Sequence, residues 1–168
     1  LSTTDPRGNV TTFGYDDRHR LLSTTFPGSV SRNYTYDARG NLLTDTDELG
    51  LVTVNKYDSI NRLISTARMM AGTAATDIAT AYTYSHTGAR LTVTSPDGCT
   101  VDGNGTVTGT DANFTTTYVY DDLNRLTEMD SPPVSTNGSS AAALVTHYYY
   151  NGTYAGGSVF DSSSFKPT

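Results

Sequence analysis

The sequence predicts an all-β fold in which tandem antiparallel β-hairpins stack into one continuous sheet. Three observations predict it: a strand-forming composition, a seven-residue pattern that recurs along the chain, and turn signals between its copies. Of 168 residues, 30 are Thr, 16 are Ser and 12 are Tyr. Thr and Tyr suit a pleated, half-buried surface. Glu and Lys, which favour helices, supply two residues each: Glu48, Glu128, Lys56 and Lys166. Charged residues make up 17% and hydrophobic ones 36%, so the polarity comes from hydroxyls. A helical bundle, a coiled coil and a charged disordered tail are excluded. The net charge is −6, and eleven scattered Lys and Arg form no basic run. That excludes a nucleic-acid partner held through phosphate contacts. No apolar stretch is long enough for a spanning helix, so no membrane insertion is expected. The single cysteine, Cys99, permits no intramolecular disulfide.

The repeat justifies the elements in order. Tyr15–Leu21 (YDDRHRL), Tyr36–Leu42 (YDARGNL), Tyr57–Leu63 (YDSINRL) and Tyr120–Leu126 (YDDLNRL) are four copies of one pattern. Tyr84–Leu91 (YSHTGARL) is a fifth with one extra residue, and Tyr150 opens a decayed sixth. Two residues before each Tyr stands Phe13, Tyr34, Asn55, Tyr82, Tyr118 or Tyr148. Residues at i and i+2 share one face of a strand, so five of these pairs present two aromatic rings together. After the Tyr, the Asp (16, 37, 58, 121) accepts from backbone N–H groups in an Asx turn. The fifth position holds His19, Gly40, Asn61, Gly88 or Asn124, residue types that tolerate positive φ. A type I turn closed by such a residue is a common hairpin connection. The pairs Asp16–Arg20, Asp58–Arg62 and Asp121–Arg125 are placed to meet across the turn. Hairpin tips are therefore expected near 15–21, 36–42, 57–63, 84–91 and 120–126. The opposite ends carry the signals Asp5-Pro6-Arg7-Gly8-Asn9, Phe26-Pro27-Gly28, Glu48-Leu49-Gly50 and Pro96-Asp97-Gly98. Inserted loops are expected at 67–81, 96–113 and 131–143. A short helix within 67–80 is the lesser alternative. A lone hairpin is marginal in water, and stacking buries the aromatic and leucine face.

The segments TDPRGNVTTFGYDDRHRLLSTT, YTYDARGNLL and NKYDSINRLIST resemble the YD-repeat (Rhs-repeat) family. The match is in register over residues 1–66 and looser around 82–94 and 116–128. The resemblance implies that the sheet spirals. In Rhs polymorphic toxins, in the B–C components of insecticidal toxin complexes and in teneurins, such sheets form hollow shells that enclose cargo or mediate cell-surface contact. It implies the architecture and not cargo release, because no counterpart of the self-cleaving aspartyl region is present.

Few residues invite chemistry. Asp102, Asn104 and Asp111 fall at positions three, five and twelve of a calcium-type loop with Gly105 at position six. Thr100 is a poor first ligand there, and a plain hairpin turning at Asn104-Gly105 is favoured. His19, His86 and His147 sit in different repeats, and no nucleophile, zinc or phosphate-loop motif occurs. No catalytic residue, metal or cofactor is expected. Six sequons, at Asn9, Asn33, Asn104, Asn113, Asn137 and Asn151, mark glycosylation candidates. The expectation is a non-enzymatic, secreted or cell-surface bacterial module, a protomer or section of a larger assembly such as a filament. It would self-associate through open sheet edges, with glycans as further partners. Two alternatives stand beside it: a fragment of a toxin-enclosing shell, and a carbohydrate-binding module whose tyrosines stack on sugars.

Overall fold

The computed structural model describes residues 1–70, 73–133 and 143–150, the side chains of 70–77 apart. It is nearly all antiparallel strand. In chain order these are β1 (Ser2–Thr4), β2 (Val10–Tyr15), β3 (Leu21–Phe26), β4 (Val30–Tyr36), β5 (Leu42–Thr46), β6 (Leu51–Tyr57) and β7 (Leu63–Met70). There follow β8 (Thr73–Tyr84), β9 (Arg90–Thr94), β10 (Cys99–Val101), β11 (Val107–Thr110), β12 (Thr115–Tyr120), β13 (Leu126–Ser131) and β14 (Leu144–His147). Twelve of them pair in chain order as one sheet, and β10 with β11 forms a separate ribbon. The chain divides into two compact units: Leu1–Ala79 with Thr100–Thr108, and Thr80–Cys99 with Gly109–Thr168.

Within the first unit, each hairpin breaks register at its motif tyrosine. The shifts fall at Gly14/Tyr15, Thr35/Tyr36 and Lys56/Tyr57. The shift belongs to the tyrosine ends alone, since the like turns at Asp5 and Asp47 pair without one. One sheet face is lined by small hydroxyl side chains that pair across strands, as Thr25 with Ser31 at 3.1 Å and Thr35 with Thr44 at 2.6 Å. The same face turns apolar at the buried Val54, Ala67 and Met69, with Ser65 buried beside them. The β10–β11 ribbon covers that patch. A Cβ on its Gly105 would lie 2.7 Å from Met69 Sδ and 2.9 Å from Val54 Cβ.

Within 67–81, expected as a loop, the described residues are instead strand: β7 runs to Met70 and β8 starts at Thr73. Beyond the bulge, the pairing of β6 with β7 continues without a gap from Lys56↔Ser65 to Leu51↔Met70. Ser65, Ala67 and Met69 are buried while Ile64 and Arg68 are exposed, a period-two alternation. Ala67 faces Val54 across the pair, and a small side chain there leaves room for the ribbon.

In the second unit, β9 lies between β8 and β12, with Thr94 opposite both Ala81 and Thr115. Thr94 is 2% exposed and bonds Thr115 through its hydroxyl at 2.8 Å. Short 3-10 helices at Pro96–Gly98 and Ala112–Phe114 flank the excursion to the ribbon. Gly98 is buried against Phe114 and has no space for a side chain. Bulges again fall at the motif tyrosines, Thr83/Tyr84 and Val119/Tyr120. Of the stretch 131–143, Ser131 ends β13 and residues 134–142 lie outside the described residues.

Candidate functional site

The chemistry of this chain is concentrated in one turn, used eight times among the described residues. Its first positions are Asp5, Asp16, Asp37, Asp47, Asp58, Ser85, Asp102 and Asp121. In each, the first N–H donates to the fifth carbonyl and the fourth N–H donates to the first carbonyl, as in Asp58 N to Arg62 O at 2.9 Å and Asn61 N to Asp58 O at 3.1 Å. The fourth residue has φ between 61° and 98°. In the seven Asp turns, one carboxylate oxygen accepts from the third and fifth N–H groups, all at 2.8–3.0 Å. Ser85 does part of this work, its Oγ accepting from Ala89 N at 3.1 Å.

The fifth residue takes the other carboxylate oxygen. Arg20, Arg62 and Arg125 donate through Nε at 2.7, 2.6 and 2.7 Å. Asn9 and Asn41 donate through Nδ2 at 2.8 and 2.7 Å. These bonds favour the ionised form and hold the carboxyls below the usual range. The Arg62 N–H leads for Asp58, the Arg20 N–H for Asp16, the Thr106 N–H for Asp102, and the Arg125 side chain for Asp121. Side-chain amides lead for Asp5 and Asp37. At Asp47 desolvation is the largest influence and opposes ionisation, but the N–H groups of Leu51 and Leu49 with the Arg68 guanidinium outweigh it.

The same arginines bind one hairpin to the next. Arg20 reaches Asp37 O at 2.8 Å and lies over the Tyr36 ring at 4.8 Å. Arg18 caps Ala38 O at 2.7 Å, and Arg39 makes the equivalent bond to Ser59 O. In the second unit, Arg90 lies 5.3 Å from the Tyr118 ring centre and Arg125 lies 4.8 Å from that of Tyr150. Tyr57 and Tyr120 donate their hydroxyls to Leu42 O at 3.2 Å and Arg90 O at 3.0 Å. Motif tyrosines therefore act as receptors for a neighbouring hairpin. Among the five full motif copies only the tyrosine of the first, Tyr15, is exposed, at 46%.

Other sequence candidates are placed as follows. Asp102 and Gly105 are turn positions of the ribbon, Asn104 is its exposed tip, and Asp111 accepts from Asn113 N at 2.8 Å. Among the described residues no three His, Cys, Asp or Glu side chains converge on a metal position. His19 occupies a left-handed turn position at φ 61°, His86 is an exposed tip, and His147 lies 3.4 Å from Glu128. Cys99 is half-buried, and desolvation pushes its thiol up. Of the sequons, Asn9 is engaged with Asp5, Asn33 is exposed within β4, and Asn104 and Asn113 are exposed. Asn137 and Asn151 lie outside the described residues.

Sequence reading missed two things. It treated the far-end turns as different, although Asp5, Asp47 and Asp102 repeat the motif geometry, and the shared D-x-x-G spacing was the available signal. It also missed Arg32, which forks onto Asp45 at 2.8 and 2.5 Å across β4 and β5.

Turn, bulge and arginine bridge, copied in step with the strands, define a tandem β-hairpin repeat. The RHS Repeat family model matches residues 1–31 and 15–52. Residues 1–52 therefore carry Rhs repeats. Solved structures of toxin complexes share its fold. A TcdB2-TccC3-TEV structure matches with TM-score 0.60 at 20% identity, and TcdB2-TccC3 without its hypervariable C-terminal region with 0.61 at 20%. The Photorhabdus luminescens Tc holotoxin pore matches with 0.58 at 18%. Each match covers 90% of this chain but only 8% of the larger one. No curated protein matches by sequence. The chain is a structural repeat module, and no helix among its described residues is long and apolar enough to cross a membrane.

Proposed function

We propose that the chain is a non-enzymatic section of the wall of an Rhs-type β shell that works outside the cytoplasm. One observation carries this reading: the recurring first Asp and closing Arg of the motif are spent on joining a turn or a neighbouring hairpin. The turn carboxylates are saturated by backbone N–H groups, and the motif arginines by carbonyls and tyrosine rings. A wall needs such internal saturation, whereas a catalytic site needs groups held ready for a substrate. The fold shared with toxin-complex chains supports the same reading, as does the 8% share of their length that the repeats span.

Sedimentation velocity and electron microscopy of the purified chain test it. A wall section gives discrete, small species, because its edges are completed by further repeats of one polypeptide. Unbounded fibres, growing with concentration, would overturn it in favour of a self-assembling filament joined through sheet edges.

A further inference from the structure

One patch in the first unit carries charges that the repeat does not require. Tyr34, Asp45, Thr53 and Arg68 stand in one row across β4, β5, β6 and β7. With Arg32, Asp47 and Leu51, the last three line a cleft of about 260 Å³. The equivalent sheet positions in the other hairpins are uncharged. Four residues before the motif tyrosine stand Thr11, Thr53, Thr80 and Thr116 where this hairpin has Arg32. Opposite the residue two before that tyrosine stand Thr24, Thr66, Val93 and Met129 where this hairpin has Asp45. Those hairpins stack without an ion pair at this place, so stacking does not explain the charges.

Donor accounting indicates what the cleft lacks. Both Asp45 oxygens are taken by the Arg32 fork, and Asp47 Oδ1 accepts from Leu49 and Leu51 N–H. The acceptors are thus mostly filled. The donors are not, since a guanidinium carries five N–H groups. Arg32 uses only Nε and Nη2, and its fork is fixed by Asp45 and by the Tyr34 ring 5.6 Å away. Arg68, with its side chain 59% exposed, makes a single long contact of 3.4 Å to Asp47 Oδ2. Thr53 stands between Asp45 and Arg68 in the row and lines the same cleft as Arg32. Unfilled donors on three strands face one space, and the group that complements them is rich in acceptors and fits a guanidinium fork.

We propose that this cleft binds a small carboxylate, with Arg68 as the fork, and Thr53 and Arg32 as supporting donors. The carboxylate comes from a sugar acid or from an acidic side chain, which share the chemistry that the cleft reads. The four charged side chains already cancel, so the site is weak, with Kd in about the millimolar range.

The test is an NMR titration of the 168-residue chain in low-salt buffer, because salt screens such pairs. The probes are glucuronate, acetyl-glutamate amide and, as a neutral control, glucose. Saturable shifts at Arg68 Nε–H and the Thr53 amide with either carboxylate, lost or weakened at least about tenfold in Arg68→Gln, support the proposal. The stronger of the two carboxylates identifies the source. Arg68 is exposed, and an otherwise unchanged amide spectrum shows that the variant folds. Absence of saturable shifts, equal response in Arg68→Gln, or the same shifts with glucose overturns it.

Discussion

At the turn aspartates, a single carboxylate does the work of several backbone contacts. It satisfies the N–H groups of the third and fifth residues, which otherwise find no partner in a three-residue loop. Asp58 shows this with bonds of 3.0 and 2.9 Å to Ile60 and Arg62 N–H. Asp58→Ala removes both acceptors and the Arg62 partner, so its thermal midpoint falls clearly below the wild-type value. Asp122→Ala, at an exposed second turn position that accepts no such bond, leaves it unchanged. Equal midpoints for the two variants in a thermal melt would contradict this account of the turn.

The pH dependence follows from the same bonds. All seven turn carboxyls are held below their ordinary 3.8. A carboxyl lowered in the folded state gives stability that is fully present above the unfolded value. That stability is lost as pH falls through the folded one. Chemical-denaturation stability is therefore flat above about pH 5 and declines steeply below 3.8, with several protons taken up on unfolding. Asp58→Asn reduces that proton uptake, and a slope unchanged by the variant would count against the carboxyl.

At the arginines, geometry matters more than charge. Arg20 binds Asp16, reaches Asp37 O and covers Tyr36 with one planar group. Lysine keeps the charge but neither forks nor stacks in this way. Arg20→Lys costs about 1 kcal/mol by urea denaturation. The turn itself was legible in the sequence, since D-x-x-[G/N/H] states both the acceptor and the left-handed residue. The arginine bridges were not, because a residue about 16 positions away has no mark in sequence until the strand register is known.

At the scale of the element, the β10–β11 ribbon explains why part of one sheet face is apolar. Hydroxyl pairs suffice where the face is open, as between Thr35 and Thr44. Val54, Ala67 and Met69 appear where the ribbon lies. Gly105 fits twice over: its φ is 69°, and a side chain there meets Met69 and Val54. Gly105→Val costs about 1–3 kcal/mol from overpacking alone, with the left-handed strain added. Gly103→Ala, where a Cβ meets nothing within 4 Å, stays near wild type in the same urea titration. A Gly105→Val midpoint equal to that of Gly103→Ala would mean that the ribbon is not docked as described.

This element was also the hardest to read. Ala67, Met69 and Met70 are good helix formers, and a run of alanines follows at 71–79. The alternation across Ser65, Ala67 and Met69 was present, yet its apolar side became intelligible only with the ribbon on top. Tertiary contact overrode propensity here. The motif strands were easier, because aromatic pairs two residues apart mark both period and face.

At the scale of the whole molecule, the repeat converts local rules into an architecture without a conventional core. Its buried hydrophobic residues are few: Val54, Ala67, Met69, Ala79 and Ala81 among those described. Stability instead accumulates per hairpin, from a saturated turn, a bulge and an arginine bridge. Such an array is limited by repeat number rather than by core volume. Length was therefore a poor guide, since 168 residues suggest a globular domain while the repeats describe a tandem array of hairpins.

Electron cryomicroscopy of the complete polypeptide that carries these residues tests that claim most directly. A hollow β shell is predicted, with β1–β9, β12 and β13 forming strands of its wall in chain order and the turns that join them aligned along its rims. A solid filament, or a compact body in which these strands pair out of chain order, would contradict it.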